Sequence, residues 1–438
     1  MGSAIVDTSA DTSAERPGAA LLLGAVLLLA ALLRLGAFAL FAETTTARGD
    51  EVYYVAQARA LVEHATYPGA LRPPGESALI ALVFLLFGES LVAARLVQVV
   101  VSLLTIALVF DVTRRRLGSR AAVAAGLLCA LDPTLLHYAH LLWSENLYGL
   151  LLVATVWCLE RFDRLGATRW LVGACVSLGL AALTRETAFY FAPVGAVWLW
   201  AGRSGSRATR LRPALLFVLV TCATVAPWVV RNSLTYGAFV SLSTNRWRMI
   251  AQGNVSTELV PRLRARSGED FAYRGHRRPI DRERIARGLA VDAILARQPW
   301  WLLEKIRQST RKLIVTKSQL ARYVKRRWLA PRVVPVARVL VSVERMALAL
   351  IVASGVAGLW LAGAPALQTL LAALIATHWA IYVLAFAHNR FLVPLLPLLA
   401  IVAGPLLTRW PPWRGARSWQ LAGAATSLLA LGALVVAG

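Results

Sequence analysis

Apolar runs about twenty residues long recur through most of this chain, each able to cross roughly 30 Å of hydrocarbon as a helix. A single soluble core cannot cover so many of them. Of the 438 residues, 58% are hydrophobic, well above the share in an ordinary soluble domain. The expected class is an all-α polytopic membrane protein. The first run, Ala19 to Phe41, carries Arg34 and shows no small-residue cleavage site before the polar stretch that follows. It reads as a retained span rather than a removed signal peptide.

A formal net charge of +24 raises nucleic acid as a partner, but its distribution argues against that. About two-thirds of it lies between Arg231 and Ala337, where 23 basic residues face 7 acidic ones. Beside membrane helices, such a stretch more simply meets anionic lipid headgroups. The cysteines (Cys129, Cys158, Cys175 and Cys222) fall in or at the ends of apolar runs without a CxxC pair. They indicate neither a zinc ribbon nor a disulfide framework.

Four basic clusters set the expected orientation: Arg114–Arg116 with Arg120; Arg161, Arg164 and Arg169; Arg203, Arg207, Arg210 and Arg212; and Arg409, Arg414 and Arg417. The positive-inside rule makes all four cytoplasmic. That requires eleven spans, at about 20–41, 90–112, 120–135, 146–161, 170–184, 187–201, 213–229, 338–360, 366–386, 391–408 and 419–437. The amino terminus is then inside and the carboxyl terminus outside. Residues 76–87 are apolar but too short for a span, and read as a half-helix dipping back from the outer face.

The domain organisation that follows is a disordered cytoplasmic tail over 1–18, a transmembrane module over 19–229 with a first outer loop at 42–89, a basic outer loop over 230–337, and transmembrane helices over 338–438. Within the basic loop, Ile285, Leu289, Ile294 and Leu295 recur at helical spacing among arginines, and Trp300 and Trp301 follow. That pattern predicts an amphipathic juxtamembrane helix over 281–301 lying in the membrane interface.

On this topology, Asp50, Glu51, Arg72, Glu145, Arg185, Glu186, His388 and Arg390 all fall at outer ends of spans. Any one of them is simply solvated in the plainest case. Alignment of the whole set on one face is informative, because ionisable groups at membrane depth are costly unless paired or wet. The adjacent carboxylates of Asp50 and Glu51 repel, which suits one of them to act as a general base beside cations. Arg72-Pro73-Pro74-Gly75 opens the half-helix, where a guanidinium can grip a phosphate bidentately. Arg185 and Arg390 add further cations facing the same slot. His137 and His140, near Glu145, offer an HxxH pattern for a metal, but interface histidines are the better reading, and no metal is assigned. The sequon Asn254-Val255-Ser256 carries no weight without a secretory context.

The segments GDEVYYVAQARALV and LRPPGESALIALVFLLFGESLVAARLVQ resemble the first outer loop and second span of GT-C glycosyltransferases. The branch is the bacterial one similar to protein O-mannosyltransferases and lipid A aminoarabinose transferases. LDPTLLHYAHLLWSENLYGLLL, GLAALTRETAFYFAPV, APWVVRNSLTYGAFVSLSTN and HNRFLVPLLPLLAI continue the likeness in the family's order, to about residue 405. The resemblance implies a polyprenyl-phosphate sugar donor and an acceptor (protein, lipid or glycan) on the outer face of the cell's inner (plasma) membrane. It puts Asp50 in the place of the catalytic acid, with Glu51 completing the pair and Glu145 as the acid of the second outer loop. Arg72 stands where a basic residue meets the carrier phosphate, with Arg185 and Arg390 at other recurring basic positions. Tyr54, Glu186 and His388 complete the expected pocket. Glu76 stands where the family often has a neutral residue, and Leu71 where the aminoarabinose branch tends to carry an acid. Substrate identity therefore does not transfer from that branch.

Residues and resemblance together predict that Asp50 takes a proton from the acceptor while Arg72, with Arg185 or Arg390, stabilises the departing phosphate. One displacement inverts the anomeric carbon. The basic outer loop would cover the site and help place the acceptor. No cofactor is required on this reading, and a divalent cation has no support in the residues. The alternatives are a lipid-linked sugar flippase or secondary transporter, and an inactive scaffold homologue. A transporter should carry ionisable residues near the midplane and broken helices in matched halves, which this pattern lacks.

Overall fold

The computed structural model describes residues 15–41, 46–202, 204–255, 278–315, 318–409, 411 and 413–436. The tail expected over 1–18 lies outside these residues as far as residue 14, and so does Ser256 of the sequon. Every regular element among the described residues is helical, and the chain is an all-α, multi-pass membrane protein.

Helix α1 (Glu15–Phe41) is followed by the short helices α2 (Glu51–His64) and α3 (Gly75–Phe87). Next come α4 (Leu91–Leu117), α5 (Ser119–Leu131), α6 (Pro133–Tyr138), α7 (Ser144–Leu165), α8 (Thr168–Thr184), α9 (Phe191–Ala201) and α10 (Arg207–Tyr236). The basic stretch forms α11 (Arg246–Asn254), α12 (Pro279–Leu295), α13 (Trp301–Val315) and α14 (Gln319–Lys325). Helices α15 (Val334–Leu361), α16 (Pro365–Leu384), α17 (Leu396–Thr408) and α18 (Ser418–Val436) complete the chain.

Among the described residues, seven segments are long and apolar enough to cross a membrane: α1, α4, α10, α15, α16, α17 with the 3-10 turn before it, and α18. Helices α5, α7, α8 and α9 lie where the other four spans are expected, but α5 and α9, with 13 and 11 residues, are too short to cross as single straight helices. The span expected over 120–135 is broken at Asp132, because Pro133 starts a new helix and the Asp132 carboxylate accepts the Leu135 N–H at 2.8 Å to cap it. Helix α3 has thirteen residues and reaches about 20 Å, short of the hydrocarbon thickness.

The core lies where α4, α5, α7, α8, α10 and α17 meet, around Leu152, Leu159, Leu178, Phe217 and Leu398, all fully buried. Small residues let these helices approach closely. A Cβ on Gly404 of α17 would lie 2.3 Å from the Ala121 carbonyl oxygen of α5. Arg34 is buried and donates to the Cys129 and Ala130 carbonyls and the Ser102 hydroxyl, serving the buried carboxyl end of α5 instead of a carboxylate.

The amphipathic helix expected over 281–301 differs from what forms. Helix α12 stops at Leu295, and its Ala286 and Ala290 pack against Ala251, Trp247 and Ile250 of α11. The exposed apolar residues Trp300, Leu302 and Leu303 belong instead to the start of α13, alongside exposed Arg307 and Arg311. Of the periodic apolar positions, Leu289 is buried while Leu295, at the end of α12, is 64% exposed.

One ion pair fixes the start of α2 against α4. Glu51 accepts both Arg95 guanidinium nitrogens, at 2.6 and 2.8 Å, and also the backbone N–H groups of Arg48 and Leu142. Both side chains are at most 2% exposed. Arg95→Met leaves the buried Glu51 carboxylate without its counter-charge and should cost roughly 3–5 kcal/mol of stability. The check is thermal unfolding in detergent, where Glu51→Gln added to Arg95→Met should recover part of the loss.

Candidate active site

Several long helices carry a candidate site residue at one end and a basic cluster at the other. Helix α7 begins with Glu145 and ends with Arg161 and Arg164; α8 begins with Arg169 and is capped by Arg185. Arg390 precedes α17, and Arg409 caps its far end. Helix alternation thus gathers the candidate residues at one end of the bundle.

There they form a chain of alternating charge. Asp50 Oδ1 meets Arg72 Nη2 at 3.0 Å, and Oδ2 accepts from Arg390 Nη1 at 2.5 Å. Arg390 Nε lies 3.7 Å from Glu145 Oε1, which accepts from Arg185 Nη1 at 2.6 Å. Five separate stretches of sequence supply these five side chains. Asp50 follows a turn at Gly49, whose φ of +61° favours glycine. Glu145 sits in the first turn of α7 and Arg185 at the carboxyl end of α8, each where the helix dipole favours its charge.

Arg72 lies over the faces of Tyr53 and Tyr54, 5.4 and 5.0 Å from their centroids. Its loop is tied down from α10: Arg231 donates to the Gly69 carbonyl at 3.0 Å and to the Tyr67 carbonyl. The Thr244 N–H also donates to the Ala70 carbonyl at 2.7 Å. Burial pushes the Asp50 carboxyl up, but Arg390 and Arg72 outweigh it and hold the group well below the usual carboxylate range.

These residues line a cavity of about 390 Å³ that contains seven of the nine expected site residues: Asp50, Tyr54, Arg72, Glu145, Arg185, Glu186 and Arg390. The Tyr54 hydroxyl donates to Ser144 at 3.1 Å, and Glu186 accepts from the Ser243 hydroxyl at 2.8 Å. Burial raises the Glu186 carboxyl despite nearby Arg246 and Ser243. Two expected residues stand outside the wall. Glu51 points into its pair with Arg95. His388 accepts the Arg390 N–H through Nδ1 at 3.2 Å, shaping the turn that carries Arg390. Burial, with Arg322 and Arg390 nearby, lowers His388 to about 3, so it is neutral at physiological pH.

The wall also holds residues that the sequence did not single out. Arg246 and Arg248 enter it from the start of α11, with Ser243, Thr187 and Tyr382. The Arg246 guanidinium donates to Ser241, while its Nε is buried without a hydrogen-bond partner. The Glu283 carboxylate accepts the Trp247 N–H at 2.9 Å and caps α11 beside it. The quoted block APWVVRNSLTYGAFVSLSTN stops one residue short of Arg246.

The cavity adjoins an apolar chamber of about 940 Å³ between α13, α15, α16, α17 and α18. Tyr382 and Phe391 belong to both walls, their rings stacked 4.8 Å apart. His137 and His140 are buried with their rings 5.5 Å apart, and Glu145 is engaged by Arg185 rather than by them. Among the described residues no cluster of His, Cys, Asp or Glu can hold a metal ion.

Residues 71–230 match a family model described as dolichyl-phosphate-mannose-protein mannosyltransferase. A comparison with curated proteins finds no match. The oligosaccharyltransferase of Archaeoglobus fulgidus, solved with zinc and sulfate, aligns over 94% of this chain and 51% of its own length, at 16% identity and a TM-score of 0.52. The present chain thus spans about half of that protein. ArnT from Cupriavidus metallidurans aligns in its apo state over 89% of this chain and 78% of its own, at 17% identity and a TM-score of 0.42. The same protein bound to undecaprenyl phosphate aligns over 88% and 77%, at 16% identity and a TM-score of 0.42. Residues 71–230 are thus similar to that mannosyltransferase family, and the chain shares its fold with the archaeal oligosaccharyltransferase.

Proposed function

We propose that this chain is a glycosyltransferase that moves a sugar from a polyprenyl-phosphate carrier to an acceptor hydroxyl or amine on the outer face of the plasma membrane. The observation that carries this reading is a carboxylate, Asp50, held between two guanidiniums in a polar cavity that opens beside an apolar chamber. A polyprenyl-phosphate sugar has the same order of parts: apolar chain, anionic phosphate, polar sugar. The chamber follows α16 from Pro365 to Tyr382, about 25 Å of helix, which approaches the hydrocarbon thickness. Its occupant is the prenyl chain.

Arg72, Arg390 and Arg246 are the phosphate ligands, since a guanidinium matches phosphate oxygens and remains charged. As the bond to the anomeric carbon breaks, charge grows on the leaving phosphate, and these fixed cations stabilise it. The carbon passes through an oxocarbenium-like state, Asp50 accepts the acceptor's proton, and a single displacement inverts the centre. Glu145 holds Arg185 and Arg390 in place. The basic far ends of α4, α7 and α17 belong in the cytoplasm by the positive-inside rule, which turns the cavity outward. The family named in the match over residues 71–230 uses a lipid-phosphate mannose, which supports the donor class.

Asp50→Asn keeps the shape and removes the base. Purified protein in lipid, given a panel of radiolabelled polyprenyl-phosphate sugars, should turn over one donor, and the variant should lose transfer while still binding it. Retained turnover in Asp50→Asn overturns the mechanism. A second outcome follows from the guanidiniums that keep Asp50 ionised. The wild-type kcat/KM should show no acid limb from Asp50 between about pH 5 and 8. Arg390→Gln removes a lowering charge, so the Asp50 limb should move to higher pH in that variant.

A further inference from the structure

Two walls of the polar cavity come from segments far apart in sequence: α11 supplies Arg246 and Arg248, and the turn after α16 supplies Arg390. They meet at one junction behind the cavity wall, to which Ala385 also belongs. Helix α11 approaches so closely that a Cβ on Gly253 would lie 1.6 Å from the Ala385 carbonyl oxygen. Asn254 is 1% exposed, and its amide donates to the Ile250 carbonyl at 2.8 Å and the Leu384 carbonyl at 3.0 Å. Its side-chain oxygen accepts from Trp301 Nε1 at 2.8 Å, and its backbone carbonyl accepts from Arg297 at 2.6 Å. Lys305 is 3% exposed and donates to the Gly253 carbonyl at 2.7 Å and the Ala385 carbonyl at 3.3 Å. The Ser309 hydroxyl donates to the Val383 carbonyl at 3.2 Å.

These contacts solve a problem at the end of α16. A helix leaves its last carbonyls without intrahelical partners, and α16 ends at Ala385 with φ −91° and ψ −101°, not in the left-handed cap conformation. Side chains from α11 and α13 serve the carbonyls of residues 383, 384 and 385 instead. Lys305 brings positive charge to a helix carboxyl end, where the dipole favours it. Burial, with Lys312 and Arg297 nearby, lowers its ammonium to about 8, so it stays protonated at neutral pH. Arg390 follows five residues after Ala385.

We infer that Asn254 and Lys305 are positioning residues, which lock α11 to the end of α16 so that Arg246 and Arg390 face the same anionic ligand across the cavity. This rests on the cavity's proposed role as a phosphate site. Neither residue lines the cavity, so neither touches that ligand.

The test uses the full chain in lipid nanodiscs with Asn254→Ala, Lys305→Met, Lys305→Arg and Gly253→Ala. Hydrogen exchange, which needs no turnover, is read first. Asn254→Ala, Lys305→Met and Gly253→Ala should speed exchange about tenfold over 246–255 and 383–391 and leave 91–117 unchanged. Unchanged exchange, or an even rise over the whole chain, overturns the inference. In transfer assays, Lys305→Met should raise the KM for the polyprenyl-phosphate donor about tenfold with kcat nearly constant, and Lys305→Arg should restore it. A fall in kcat alone overturns the positioning role. If wild type turns over no donor but the exchange changes stay local, and polyprenyl phosphate itself binds about tenfold more weakly to Lys305→Met, the positioning inference holds and the transferase reading fails.

Discussion

Ionisable side chains at the end of a membrane bundle must be paired, and the order Arg72, Asp50, Arg390, Glu145, Arg185 meets that constraint with a single line of alternating charge. Each carboxylate lies between two guanidiniums, so the group leaves one net positive charge facing the cavity. The arrangement explains why the elements around it are built as they are. The loop before α3 must be pinned from α10 to present Arg72. The α8–α9 turn must present Arg185, and the end of α16 must hold a turn that aims Arg390. A shift in any of these strands a charge at low dielectric, where an unpaired ion is far more costly than at a wet surface.

The neighbouring acids Asp50 and Glu51 show how position divides labour. Asp50 stands just ahead of α2 and faces the cavity, a quarter exposed. Glu51 is the first residue of α2 and turns into the protein, where Arg95 and two backbone N–H groups saturate it. One carboxylate faces the cavity, paired with Arg72 and Arg390, while the other holds the helix start in place. Nothing in the dipeptide distinguishes the two roles; the difference comes from Arg95, one turn into α4.

Much of this is legible in the sequence, for a physical reason. A span needs length and apolarity, and both are local properties of sequence, so the helices appear where the runs are. The positive-inside rule then aligned Asp50, Arg72, Glu145, Arg185 and Arg390 on one face without any knowledge of packing. What escaped depends on packing. Arg246 is one of 23 cations in a stretch where no spacing marks it out. The large apolar residues of α12 have helical periodicity, but it is the small Ala286 and Ala290 that pack on α11, a contact periodicity cannot mark. The apolar chamber is a gap among helices that individually read as ordinary spans. The break at Asp132-Pro133 was readable, since an aspartate before a proline is a helix start, yet the apolar run around it masked the signal.

The charge chain also bears on how Asp50, the base of the proposed mechanism, can work when held so far below its usual range. In the free protein both lobes of the Asp50 carboxylate are engaged by guanidiniums, which makes it a poor proton acceptor. On the proposed reading, a carrier phosphate entering the cavity competes for those same cations and brings negative charge close to Asp50. Both effects raise the affinity of Asp50 for a proton. On the proposed reading, the donor therefore strengthens the base that its own transfer requires, and the base is weak while the donor is absent. Arg390 is central to this exchange because it can hand its partner from Asp50 to phosphate while Glu145, 3.7 Å away, keeps it in the wall. The cavity needs no conformational switch for such coupling; shared guanidiniums suffice.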